Sequence, residues 1–180
     1  MASAFSHAIA AVALGKLSFL KNIDKKFWLL GIFCAVLPDA DVLSFNFGIP
    51  YESMWGHRGI THSLSFAALL GFGVTHFFYG DEHFFSKRWF ALFTFFVACT
   101  ASHAVLDAMT TGGLGVAFFA PFYNERYFFA FRPIQVSPIG VAKFFSEWGW
   151  RVIKSEIIWV WLPSFIVMGA VYCVKKLRTN

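Results

Sequence analysis

Apolar residues run along this chain in membrane-length blocks, and the polar residues that interrupt them fall near block ends. The first block, from about Ala4 to Leu20, is Ala-rich and predicts a helix close to the lower limit of a span, for which about 20 residues are needed. Lys16, Lys21, Lys25 and Lys26 follow around an Asn22-Ile23-Asp24 turn. The second block runs from Phe27 to about Phe47, and Pro38 predicts a kink or an end near Leu37. A loop from Gly48 to Gly59 carries Glu52, His57 and Arg58. The third block spans Ile60 to Tyr79, with Thr61 or Ser63 near its N-cap, and Gly80-Asp81-Glu82-His83 forms a polar turn. The fourth runs from Trp89 to Thr110 and stops at Gly112, Gly113 and Gly115. From Val116 to Lys154 the chain is amphipathic and broken by Pro121, Pro133 and Pro138, which predicts a region lying in the membrane interface. The last block covers Ser155 to Val174, its Pro163 tolerated by neighbouring helices. The expected fold is all-α: one domain over residues 1–180, an integral membrane bundle of four or five helices with an interfacial segment at about 116–154.

Composition supports the same reading. Of 180 residues 58% are apolar, 25 are Phe, 7 are Trp and only 14% are charged. A soluble domain of this size leaves too much surface exposed to hide so many rings, whereas lipid solvates them. The net charge is +5. Basic residues flank the apolar blocks, so topology and anionic headgroups explain them. No recognition motif accompanies them, and no nucleic-acid partner is expected. The segments around Lys16 to Lys26, Lys87 with Arg88, and Lys175, Lys176 and Arg178 alternate onto one face and hold nine of the 15 basic residues. The positive-inside rule makes that face cytoplasmic. Arg58, Arg126, Arg132, Lys143, Arg151 and Lys154 fall on the other, where those from Arg126 to Lys154 suit headgroup contact. Cys34, Cys99 and Cys173 lack paired spacing and predict no disulfide framework. The first Lys is Lys16, so the N-terminus does not read as a signal peptide.

Candidate chemistry then emerges from depth. At a rise of about 1.5 Å per residue, His7, Asp39, Asp41, His57, His62, His103, Asp107 and Glu156 all fall toward the outer side, while His76 and His83 belong to the opposite face. Each ionised carboxylate in a bilayer costs roughly 2.5–3.5 kcal/mol. Arg58 is the main nearby cation, so one or two divalent metal ions are expected to neutralise the group, with zinc, manganese or iron matching His and Asp donors. His103-x-x-x-Asp107 places two side chains on one helix face. Asp39-Ala40-Asp41, read as extended at a helix break, turns both carboxylates the same way to bridge metals. N-capping by Asp is the alternative for that pair. In Gly56-His57-Arg58-Gly59-Ile60-Thr61-His62-Ser63, two imidazoles flank an Arg able to clamp an anionic oxygen. Glu156, opening the last block, reads as ligand, as general base, or as a carboxylate favoured at a helix N-terminus.

The Ser6-His7 start, Leu37-Pro38-Asp39-Ala40-Asp41, His57-Arg58-Gly59-x-Thr61-His62-Ser63, Ser102-His103-x-x-x-Asp107 and Ser155-Glu156 together resemble the YdjM-like family. That family is described as membrane-bound metal-dependent hydrolases and as inner-membrane-associated, LexA-binding proteins. The resemblance covers essentially the whole chain. It implies a bacterial inner-membrane protein with hydrolase activity and a LexA-like regulator as a partner. A more distant similarity, to zinc-dependent phospholipase C and the nucleases of that fold, rests on the order His, Asp, His, His-x-x-x-Asp. The second His-x-x-x-Glu of that group is missing here, which favours one or two ions over three.

The functional expectation is therefore a metal-dependent hydrolase of a membrane lipid or another amphiphilic, lipid-linked phosphoester. His7, Asp39, Asp41, His57, His62, His103 and Asp107 would surround the metal, Arg58 would hold the anionic group, and Glu156 or a free Asp would be the base. The alternatives are a metal or proton transporter, since intramembrane His and Asp also mark ion paths, and a membrane adaptor for a soluble regulator.

Overall fold

The computed structural model describes residues 1–18 and 20–177. Phe19 of the first apolar block and Arg178 of the basic tail lie outside the described residues. The chain forms α1 (Ala4–Leu17), α2 (Lys25–Val36), a 3-10 helix (Leu37–Phe47), a short 3-10 turn (Ile60–His62), α3 (Leu64–Phe78), α4 (Lys87–Ala108), α5 (Val141–Phe144), α6 (Glu147–Glu156), a π-helical turn (Ile157–Trp161) and α7 (Leu162–Leu177). Three continuous helical stretches are long and apolar enough to cross a membrane: Lys25–Phe47, Lys87–Ala108 and Glu147–Leu177. The apolar helices Ala4–Leu17 and Leu64–Phe78 are shorter. The protein is an all-helical membrane bundle, with two isolated β-bridges in its connections.

Local chemistry sets the helix starts. Asp24, Ser63 and Ser86 each accept a backbone N–H from the residue three positions on, Phe27, Phe66 and Trp89, which satisfies a donor that the first turn otherwise leaves unpaired. Of the two candidates for the third helix, Ser63 is the cap and Thr61 is released for other work. Pro38 ends the α-helix as expected, but the chain does not become extended. Proline is tolerated in a first helical turn, and Leu37–Phe47 continues as a 3-10 helix. The extended geometry expected for Asp39-Ala40-Asp41 is thereby corrected.

Neighbouring helices alternate in direction. Phe27, Cys34, Val74, Leu92, Phe95, Phe96 and Cys99 pack one half of the bundle, with the Phe27 and Phe95 rings stacked at 4.1 Å. A Cβ on Gly31 would sit 2.7 Å from the Phe95 ring, so only glycine lets α2 approach α4 this closely. Outside, Leu29, Phe77, Phe165 and Ile166 are exposed, as a lipid-facing exterior requires. The basic segments do meet at one end: Lys26 donates to Phe78 O at 2.7 Å, Arg88 to Lys21 O at 2.8 Å, and Lys175 to Lys16 O at 3.3 Å.

The opposite end is covered by residues 109–140. Val116 and Tyr127 exchange both backbone hydrogen bonds, Leu64 N–H donates to Phe118 O, and Ala117 N–H donates to Arg58 O. Val116, Ala117, Ala120 and Ile134 are fully buried there, so this part of the interfacial segment is a packed cap on the bundle. The last helix begins at Glu147 rather than Ser155. Its first turns place Trp148, Trp150 and Arg151 outward and Val152 inward, an amphipathic pattern that the onset of an apolar block cannot mark.

Candidate metal centre

Because the helices alternate, the start of α1, the extension of α2, the approach to α3, the end of α4 and the start of the last helix all lie at the capped end. That topology gathers His7, Asp39, His57, Arg58, His62, His103, Asp107 and Glu156, each buried. His76 and His83 stay with the Asp81-Glu82 turn at the other end, lining a separate cavity.

One donor atom each from Asp39, His62, His103 and Asp107 lies within 4.8 Å of the others, and this buried His/Asp group can hold a metal ion. The tautomers explain why something positive belongs there. His103 Nδ1 lies 2.7 Å from Ala35 O. A carbonyl only accepts, so Nδ1 carries the proton and a neutral ring presents its Nε2 lone pair. His62 Nδ1 lies 3.1 Å from the Asp41 carboxylate, which likewise fixes the proton on Nδ1 and the lone pair on Nε2. Those two Nε2 atoms face each other at 2.9 Å. Two lone pairs at that distance repel unless a cation or a proton lies with them.

A single proton settles the rings alone. Among the described residues, both Asp39 oxygens and both His7 ring nitrogens are buried without a hydrogen-bond partner. Each buried, unsatisfied polar group costs about 1–3 kcal/mol. His103 Nε2 is 3.3 Å from Asp39 Oδ1, and His62 Nε2 is 3.6 Å from Asp107 Oδ2. His7 stacks on His103 with centroids 3.8 Å apart, its Nε2 3.6 Å from Asp107 Oδ1. One divalent cation among Asp39, His62, His103 and Asp107 would take both facing Nε2 lone pairs and a free Asp39 oxygen, so this donor set fits a metal, with His7 beside it.

Asp41 behaves differently from Asp39. It accepts from Thr61 Oγ1 at 2.6 Å, from Arg58 N at 3.0 Å and from His57 Nδ1 at 2.6 Å, besides facing His62. Asp41, His57 and His62 form a second group able to hold an ion, sharing His62 with the first. Its oxygens are already saturated, however, which suits a carboxylate that orients ligand histidines. The expectation that Asp39 and Asp41 turn the same way to bridge metals is corrected: they address opposite edges of His62. Burial pulls the pKa of His57 below the usual histidine value, against the opposing pull of Asp41.

Arg58 also departs from its expected task. It is fully buried with φ +63°. Nε donates to Asp107 Oδ2 at 2.8 Å, NH1 to Gly112 O at 2.9 Å and NH2 to Thr110 Oγ1 at 3.0 Å. The fork that was to clamp a substrate oxygen instead ties α4 and the cap to the His57–His62 loop. Gly59 permits this turn, since a Cβ there would meet Met54 O at 2.1 Å. Arg126, expected at headgroups, donates to His57 O, Tyr51 O and Ser53 O and braces the same loop.

Glu156 is buried and accepts both N–H and O–H from Ser3, so the structure engages its carboxylate with the start of α1. The sequence did not reveal the bond of Thr61 to Asp41, nor the parts played by Thr110 and the Ala35 carbonyl. Thr61 had a signal, lying between His57 and His62, but the other two contacts cross between elements distant in sequence.

Comparison with known proteins agrees with the residues. The YdjM inner membrane protein family matches residues 1–179. The inner membrane protein YbcI of Escherichia coli (strain K12) is 37% identical over 181 residues, covering 98% of this chain and 100% of the relative. No solved structure matches. With its apolar spanning helices, this is a multi-pass protein of the bacterial inner membrane, and it belongs to the YdjM inner membrane protein family.

Proposed function

We propose that the protein is a metal-dependent hydrolase acting on an amphiphilic phosphoester drawn from the bilayer. The observation that carries this reading is the pair of facing Nε2 nitrogens beside the unpartnered carboxylate of Asp39. Zinc matches the His/Asp donors best, with manganese or iron as alternatives. A bound ion would supply a Lewis acid and a water of lowered pKa.

The chain's own residues do the rest. Ala35 O fixes the tautomer of His103, and Asp41 fixes that of His62. Arg58 holds Asp107 in place without spending its fork on substrate. Asp39 is the carboxylate with free oxygens, so it can ligate through one and take a proton through the other. Asp39 is also among the residues lining an open surface trough of about 540 Å³, with Leu29, Ile32, Phe33, Val36, Leu37 and Ala40. An acyl chain lying along α2 in that trough would bring its headgroup to the centre.

An ion conduit is a poorer reading. Transport needs polar groups through the whole depth, and the other half of the bundle is the Phe27, Leu92, Phe95 and Phe96 core. A membrane adaptor gains no specific support from the geometry.

The test is phosphate release from phosphatidic acid in mixed micelles by the purified protein with added zinc, manganese or iron. Release that EDTA and Asp39→Ala both abolish supports the reading, and no release under any metal counts against this substrate class. Val36→Trp, which fills the trough, is expected to slow release from long-chain phosphatidic acid about tenfold or more while sparing a short soluble phosphoester. Asp41→Asn is expected to weaken metal binding about 10–100-fold without abolishing it, as a chelator competition would measure.

A further inference from the structure

His7 is the one candidate ligand whose ring is fixed by no hydrogen bond, only by stacking on His103 and a 3.6 Å approach to Asp107. His103 is set by Ala35 O and His62 by Asp41, the usual device by which a ligand histidine is fixed through its second nitrogen. Neither nitrogen of His7 has a partner among the described residues. Its position therefore depends on where α1 is anchored, through Ala2 N–H, which donates to Asp107 Oδ1 at 2.7 Å, and through Ser3.

That anchor is unusual. Ser3 is the N-cap residue of α1, yet its side chain makes no capping bond. Its hydroxyl and its N–H both go to Glu156 instead, across 153 residues of sequence. Ser3 O in turn accepts from Ser6 N at 3.0 Å and His7 N at 3.2 Å, so the place of Ser3 sets the place of His7. A second tie lies one turn further on, where Trp161 Nε1 donates to Ser6 Oγ at 2.8 Å. Five residues apart on a regular α-helix, Glu156 and Trp161 would diverge by roughly 140° at 3.6 residues per turn. The π turn at Ile157–Trp161 closes over five residues, which brings both onto the face that meets α1.

We propose that Glu156 is a positioning residue: with Trp161 it clamps Ser3 and Ser6 and so holds His7 at the metal centre, coupling the last membrane helix to the site. This rests on the metal reading above. It also gives Glu156 a role that needs an acceptor but no titratable proton, unlike the general base expected from the sequence.

The test is cobalt(II) titration of the full chain in detergent, reading the visible ligand-field spectrum and the affinity. Glu156→Gln, which keeps an oxygen for Ser3, is expected to retain the wild-type spectrum and an affinity within about threefold. Glu156→Ala is expected to reproduce the His7→Ala spectrum with binding about 10–100-fold weaker, and to add nothing further in the His7→Ala background. Trp161→Phe, a gentler change, is expected to move both readouts in the same direction by less. A wild-type spectrum in Glu156→Ala, or Gln behaving like Ala, overturns the positioning role and leaves the metal reading intact. A wild-type chain that takes up no cobalt overturns both.

Discussion

Alanine at His103 is expected to abolish metal uptake by the buried His/Asp group. The ring is fully buried on α4 and faces the Ala35 carbonyl on one edge and His62 Nε2 on the other. Structural zinc sites contribute about 10–16 kcal/mol over four ligands. One ligand is then worth roughly 3 kcal/mol, or more than about 100-fold in affinity. The fold should survive, because Phe27, Leu92, Phe95 and Phe96 pack in the other half of the bundle. Gel filtration of the variant should stay monodisperse while elemental analysis finds its metal content near zero. A variant that keeps wild-type metal would place the ion away from His103.

Arg58→Ala is expected to have the opposite signature, a loss of fold. The substitution leaves buried Asp107 with Ala2 N–H at 2.7 Å and the N-terminal ammonium at 4.0 Å but without its guanidinium, and removes the donors to Gly112 O and Thr110 Oγ1. Breaking one side of a buried ion pair costs about 3–5 kcal/mol, a large share of the stability of any domain. Lysine should not rescue it, since one ammonium on a flexible stem cannot reproduce a planar fork that reaches three partners. Thermal aggregation in detergent should shift to markedly lower temperature for both variants. Arg58→Ala with Asp107→Asn should recover part of the loss. If Arg58 were instead a substrate clamp, alanine would leave the melting behaviour unchanged and lower activity alone.

The gathering of the site was legible because it follows from counting. An apolar block of known rise fixes the depth of each polar residue, and alternating helix directions bring His7, Asp39, His62, His103 and Asp107 to one end. The break at Pro38 was legible for the same local reason, the missing N–H of proline. The roles within the site were less so. Asp39 and Asp41 look equivalent in sequence, and only a 3-10 path shows that one is unpartnered and the other saturated. Arg58 reads as a clamp until the cap supplies Gly112 and Thr110, contacts that no local pattern encodes. Glu156 reads as ligand, base or helix-terminal carboxylate, and its contact with Ser3, 153 residues away, is one that no local pattern encodes. Local spacing carried the elements and their depth, while long-range partners decided which polar group faces which.

The most direct measurement is the metal content of the wild-type protein purified from membranes, by elemental analysis, beside His103→Ala. About one equivalent of a transition metal per chain is expected in the wild type and almost none in the variant. A monodisperse wild-type protein that contains no metal, and takes none up when offered zinc, manganese or iron, would contradict the metal reading.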